Sequence, residues 1–292
     1  MAKAVADIAV AFLVGGATTG SYPTCERFLA SYRRCAPGVG HSLYVIFRDA
    51  DVLDKARDLF TSVRHELVFL GDESVDGGDI GACIEWARQI EERRLCILKT
   101  TSEILSDEWL RKLAVNLALP NVGLVGATGS YESRSESTNS RPVFPNPHIR
   151  LNAFMIDRQA LCRIRSEQVT PTRLDSSDWE SGRHSLTRQV LAMKREILVV
   201  GRNGRGYSPQ WWPTSDTFQQ GTQSNLLVAD QQTRDFAALR WSEKRAVVLR
   251  TWGRYFGAED LISKKDLLGA NAWPPFRRGF RRADAVDASA SR

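Results

Sequence analysis

Apolar runs alternate with amphipathic stretches through the first half of the chain. Runs near residues 7–14, 42–48, 66–70, 94–100 and 122–127 are short and aliphatic, which predicts buried β-strands. Helical patterns stand between them. Residues 23–34 open on Pro23 at a first-turn position, and residues 51–63 place Val52, Ala56, Leu59 and Phe60 on one face. Residues 79–92 repeat Ile80, Cys83, Ile84 and Ala87 at helical spacing behind Asp79 as an N-cap. A helix from Asp107, suited to cap it, buries Trp109, Leu110, Leu113 and Leu117. Strands and helices in this order predict an α/β fold with a mainly parallel central sheet flanked by helices.

The second half is less regular. Residues 130–147, rich in Ser, Asn, Arg and Pro, read as a loop. A strand over 151–156, a short helix over 158–164 and an irregular link over 166–178 follow. Next come a helix over 180–193, a strand over 197–200 and an aromatic stretch over 207–218. Residues 236–272 read as a helical extension and 273–292 as a basic, disordered tail.

Composition narrows the class. With 292 residues, 42% hydrophobic and 25% charged, the chain is a globular domain rather than a disordered, collagenous or coiled-coil one. The apolar run from Ile8 to Val14 is shorter than the ~20 residues of a membrane span, and Asp7 breaks the start of a signal-like segment. Five cysteines without a C-x-x-C pair fit a reducing, cytoplasmic setting, with Cys83 and Cys96 in the core. The net charge is +6, and residues 273–292 supply half of it, five arginines against two aspartates. With Trp273, Phe276 and Phe280 interleaved, that tail suits peripheral contact with an anionic membrane surface; no nucleic-acid partner is expected.

Candidate chemistry begins after the third strand. Gly71-Asp72-Glu73-Ser74-Val75-Asp76-Gly77-Gly78 is an acidic, glycine-bearing turn leading into a helix, where carboxylates meet ribose or base and a helix N-terminus meets phosphate. With its aliphatic strand, this turn resembles the one in bacterial inverting glycosyltransferases of the GT-A fold, the family-2-like nucleotide-diphospho-sugar transferases. Asp72, Ser74, Asp76 and Gly77 stand in the family's order, with Glu73 where glycine is usual. The resemblance extends in order over residues 7–235. It implies a catalytic domain with a nucleotide-binding half over 1–127 and an acceptor half over 128–235.

The function so implied is transfer of a sugar, with inversion, from a nucleotide-diphosphate donor to a hydroxyl of a saccharide or lipid-linked acceptor, in cell-surface polysaccharide synthesis. Asp72, Glu73, Asp79 and Lys99 become donor-site candidates, and the basic turn with Arg202 and Arg205 faces acceptor or diphosphate. Trp211 and Trp212 offer flat faces to a sugar ring. An inverting transfer needs one carboxylate to take the acceptor's proton, and Asp178 and Glu180 stand where the family carries it. Where the family has its metal-binding Asp-x-Asp, this chain has Lys99-Thr100-Thr101-Ser102-Glu103. Glu103 is the carboxylate that loop offers to Mg²⁺ or Mn²⁺, and metal dependence stays open. Two alternatives stay open as well. One is a non-catalytic nucleotide- or saccharide-binding protein; the other is an S-adenosylmethionine- or NAD-dependent enzyme using the glycine turn from Gly15 to Gly20.

Overall fold

The computed structural model describes residues 7–15, 22–71, 78–133, 142–164 and 176–253. The chain runs β1 (Ile8–Val14), α1 (Tyr22–Arg34), β2 (Ser42–Phe47), α2 (Ala50–Ala56), β3 (Glu66–Phe69), α3 (Gly78–Gln89), β4 (Arg94–Lys99), β5 (Glu103–Ile104), α4 (Trp109–Leu117), β6 (Val122–Gly126) and β7 (Gly129–Ser130). It continues through β8 (His148–Ile149), β9 (Ala153–Asp157), α5 (Arg158–Cys162), α6 (Ser176–Ser181), α7 (Leu186–Ala192), β10 (Glu196–Val200), β11 (Gly206–Tyr207), β12 (Val228–Ala229), α8 (Gln231–Ala238) and α9 (Trp241–Trp252).

Eight strands form the central sheet in the order β11-β10-β6-β9-β4-β1-β2-β3. Six run one way, and β9 and β11 run against them. The α/β class and the mainly parallel sheet are as expected, and the reversal of β9 is the departure. It has a local cause. The β7–β8 ribbon carries the chain back to the edge where β6 ends, so β9 enters from that edge and runs antiparallel to β6. The ribbon can lie over β6 because Gly126 has no side chain; a Cβ there would stand 2.4 Å from Ile149 Cγ2.

Alternation along β1 divides the core. Ala9, Ala11 and Leu13 face the layer of α3, α5, α6 and α7, whereas Ile8, Val10, Phe12 and Val14 face α1, α2 and α4. Both faces of β1 are buried, which is why its sequence is apolar throughout. Cys83 and Cys96 are fully buried, as their surroundings implied.

Several helix boundaries differ from the pattern-based ones. The second helix gives way after Ala56 to a 3-10 segment, Arg57–Ser62. Asp107 does not cap α4; its Oδ1 accepts the Ala36 N–H at 2.8 Å and ties the end of the α1–β2 loop, while Glu108 turns the chain at φ 59°. Asp79 lies inside the first turn of α3, which opens at Gly78. The helix expected over 180–193 is two helices. Gly182 N–H bonds the Asp178 carbonyl to close the first, and Ser185 Oγ accepts from Arg188 N to start the second.

The boundary expected near residue 235 falls inside α8, and α9 returns to the main core. Trp252 is buried there and donates its indole N–H to Phe218 O at 3.0 Å. Among the described residues no helix is long and apolar enough to cross a membrane. The tail and the turn from Asp72 to Gly77 lie outside the described residues.

Candidate functional site at the C-terminal edge of the parallel strands

A parallel sheet places its loops and the N-termini of following helices together at one edge, where ligands enter open α/β sheets. At this edge β4 ends on Lys99 and β2 is followed by Arg48, both on the face covered by α3. Asp79, in the first turn of α3, joins them. Its Oδ2 stands 3.0 Å from Lys99 Nζ and its Oδ1 3.4 Å from Arg48 Nη1. Burial pushes the Asp79 carboxyl up, but Lys99 and Arg48 outweigh it and hold the group below its ordinary range. Two cations thus share one carboxylate at a half-buried strand edge beside the first turn of α3.

The second half of the site comes from the β8–β9 segment and α6. Glu180 Oε2 accepts the Leu151 N–H at 2.9 Å, which fixes the carboxylate against that segment. Burial raises its pKa, but Arg150 above all, with His148, the Leu151 N–H and Lys99, brings it below the usual carboxylate value. Glu180 is therefore ionised at neutral pH, and Lys99 acts on it as well as on Asp79. Among the described residues Oε1 of Glu180 has no hydrogen-bond partner.

Arg150 is held from three sides. It pairs with Asp230 at 2.6 Å, with both side chains almost fully buried, and its guanidinium lies 4.0 Å over the Phe218 ring. Its Nη1 also reaches Thr128 Oγ1 at 3.5 Å. Asp230 in turn caps α8 by accepting Thr233 N–H at 2.9 Å, so the C-terminal helices help to hold the cation that faces Glu180. His148 is buried nearby with Nδ1 2.7 Å from Asn146 O; burial lowers its pKa below the ordinary 6.5, against the pull of Glu180.

Between these halves stands Asn152, at the entrance to β9. Its carbonyl accepts Lys99 N–H at 2.9 Å and Ser102 O–H at 2.8 Å, and its Oδ1 accepts Thr128 O–H at 2.7 Å. The Nδ2 is buried with no hydrogen-bond partner.

The other candidates suggested by the amino-acid sequence scatter. Glu103 lies toward α1, with Arg234 at 3.4 Å and Arg34 at 3.9 Å. Arg202 donates to Leu105 O, and Arg205 stacks on Tyr207 at 5.4 Å. Both arginines sit exposed on the β10–β11 turn, away from the α3 side. Trp212 is wholly buried; its N–H bonds Tyr207 O at 2.8 Å and its ring packs on Tyr131, so it has no face for a sugar. Trp211 beside it is exposed. The amide-rich block closes on itself. Gln220 Nε2 donates to Trp212 O at 2.7 Å, Gln223 Nε2 to Thr233 O at 2.9 Å and Asn225 Nδ2 to Ser215 O at 2.9 Å. Gly15 N–H is taken by Thr100 Oγ1 at 2.8 Å. Asp72 and Glu73 lie outside the described residues.

The structure brings Asp79, Lys99 and Glu180, named as candidates from the amino-acid sequence, to one sheet edge, together with Arg48, His148, Arg150, Asn152 and Asp230, which were not named. Polar residues tightly spaced with the apolar run of a strand, as in His148-Ile149-Arg150-Leu151-Asn152, were the available signal.

No family model matches this sequence, and no curated protein matches it. Among solved structures, the chain is similar to 4-diphosphocytidyl-2C-methyl-D-erythritol synthase from Anaerococcus prevotii, at 14% identity over 66% of this chain and 87% of that one, TM-score 0.43. A mannosyltransferase from Pyrobaculum calidifontis, solved with GDP-mannose and Mn²⁺, matches at 12% identity and TM-score 0.45 over 67% of this chain; the match spans 55% of that protein. Mouse xyloside xylosyltransferase 1 matches at 10% identity and TM-score 0.42 over 66% of this chain and 84% of that one. At such identities and scores these likenesses carry no inference about this chain's chemistry.

Proposed function

We propose that this chain is a glycosyltransferase that moves a sugar from a nucleotide-diphosphate donor to a hydroxyl of a saccharide or lipid-linked acceptor. The observation that supports it is the arrangement at the sheet edge. Lys99 and Arg48 lie on one side, and the ionised Glu180, one oxygen of which has no hydrogen-bond partner among the described residues, lies close enough for Lys99 to act on it. Such a transfer needs both a cationic place for a leaving diphosphate and a carboxylate for the acceptor's proton.

In this reading the acceptor oxygen attacks the anomeric carbon from the face opposite the diphosphate. The new carbon–oxygen bond forms as the bond to the diphosphate breaks, and the configuration inverts. The acceptor's proton passes to Glu180 Oε1, and the leaving diphosphate takes the electron pair and meets Lys99. Asp178, two residues before Glu180, is left without the chemical role. Arg150 and the Leu151 N–H are positioning groups, because they hold Glu180 ionised and oriented.

The test measures thermal stabilisation of the full chain by UDP-, dTDP-, GDP- and CMP-linked sugars, followed by release of free nucleotide from whichever donor binds. A ligand that binds the native state raises its apparent stability. Glu180→Gln should keep donor binding and lose about 10²–10⁴-fold in nucleotide release, the usual worth of a general base, whereas Asp178→Asn should keep its rate. Full release by Glu180→Gln would overturn the assignment of the base, and no stabilisation by any nucleotide sugar would overturn the function.

A further inference from the structure

A divalent cation bridging a diphosphate takes several hard oxygen ligands at close spacing. The described residues do not fit one. No group of three His, Cys, Asp or Glu among them is placed to hold a metal ion. Glu103 is engaged by Arg234 and Arg34, and Asp79 by Lys99 and Arg48. What the sheet edge does offer is donors.

Lys99 and Asn152 are neighbours across the β4–β9 ladder. Leu98 stands opposite Ala153, which sets Lys99 opposite Asn152, and residues directly opposed in an antiparallel pair project from the same face. Thr128 fixes the Asn152 amide by its oxygen, so the Nδ2 hydrogens are the ones left over. The residue is only 5% exposed, and an unsatisfied buried N–H₂ is costly enough that native folds keep few of them. An ammonium, the α3 N-terminus and an orphan amide N–H₂ present hydrogens or positive charge. Their natural complement is an oxyanion.

We infer that the diphosphate of the donor is held here by side-chain donors, Lys99 and Asn152, in place of a divalent cation. This rests on the nucleotide-sugar reading and assigns the part of the substrate that this edge takes. Lys99 is the mobile charge, because its flexible stem can turn from Asp79 to a phosphoryl oxygen while Arg48 stays with the carboxylate. Asn152 is the fixed donor, locked by Thr128 and by the two hydrogen bonds to its own carbonyl.

The test is calorimetric binding of ADP, GDP, UDP and CDP, and of the matching monophosphates, to the full chain in EDTA and in Mn²⁺. The expected result is that the diphosphate that binds does so equally well in both, and more tightly than its monophosphate. Asn152→Asp keeps an oxygen for the Thr128 hydroxyl and removes the N–H₂. It should weaken diphosphate binding about tenfold or more, the worth of a charge-assisted hydrogen bond, and change monophosphate binding little. Lys99→Met should do the same and serves if the Asp variant does not fold. Diphosphate binding that requires Mn²⁺ overturns the inference, as does wild-type affinity in both variants, while leaving the nucleotide-sugar reading intact. Failure of every nucleotide to bind in either buffer defeats both.

Discussion

Two clusters of charge flank the same sheet edge, and they are built differently. On the α3 side, Asp79, Lys99, Arg48, Glu180, Arg150 and His148 influence one another, mostly within the protein. On the α1 and α4 side, Arg34, Arg202 and Arg205 sit at the surface and Glu103 and Arg234 are half-buried, and each is engaged by a neighbour or a backbone carbonyl. Formal charge is similar in kind on both sides. Burial separates their most extreme pairs, Arg150–Asp230 at 5% and 4% side-chain exposure and Arg34–Glu103 at 60% and 23%: a charge shielded from water acts strongly on its neighbours, whereas a solvated one is screened and contributes little.

The largest effect that would break this contrast is on the buried pair. Arg150→Met leaves Asp230 charged and alone at 4% side-chain exposure, and should cost about 3–5 kcal/mol in denaturant unfolding. Adding Asp230→Asn, which removes the charge and keeps an α8 cap, should recover part of that loss. A single variant as stable as the wild type would show that the pair is not what separates the two clusters.

A smaller effect is the dependence on pH. His148 titrates below its ordinary 6.5 in the folded chain because it is buried, so the unfolded chain binds its proton first as pH falls. The stability it contributes is complete above pH 6.5 and declines below it. His41, lowered by burial as well, adds to the same slope. Glu180 and Asp79, held below their ordinary 4.5 and 3.8, add their own losses only at still lower pH. Thermal melts should therefore fall from pH 6.5 downward, and His148→Gln should make that fall shallower without abolishing it. Equal slopes in wild type and variant would remove His148 from the account.

The smallest effect belongs to the exposed cluster. Glu103→Gln should change unfolding free energy by less than about 1 kcal/mol, because Arg34 is solvated and the half-buried Arg234 keeps Thr101 O and Gln231 Oε1 as acceptors. A loss as large as that of Arg150→Met would erase the distinction between the two sides.

Much of the fold was legible along the chain. Four of the early strands, β1, β2, β4 and β6, lie where their apolar runs stand, because a strand buried on both faces must be apolar throughout. The run over 66–70 also forms a strand, but at the sheet edge, where β3 is largely exposed rather than buried. Lys99 and Asp79 stood out as candidates because one ends a strand and the other lies in the first turn of a helix, whereas Glu180, near the end of α6, was named only through the resemblance. Trp212 and the amide block misled for one reason. Aromatic rings and amides are as useful for filling and satisfying a core as for holding a sugar, and only their neighbours distinguish the uses. The break of the 180–193 segment was hidden because Gly182 and Ser185 are tolerated within a helical pattern until the backbone around them is known.

The sequence by itself determined the α/β class, the early strands and the residue types at the sheet edge, since these follow from local periodicity and from where polar residues interrupt it. Tertiary structure alone decided that β9 runs backward between β4 and β6, and with that placed Asn152 beside Lys99. It also decided that Asp230, 80 positions along the chain from Arg150, supplies its buried counter-charge. The physical reason is the same in each case. Charge and hydrogen-bonding capacity belong to residues, but burial and partnership belong to pairs of segments far apart in the chain, and no local pattern carries that information.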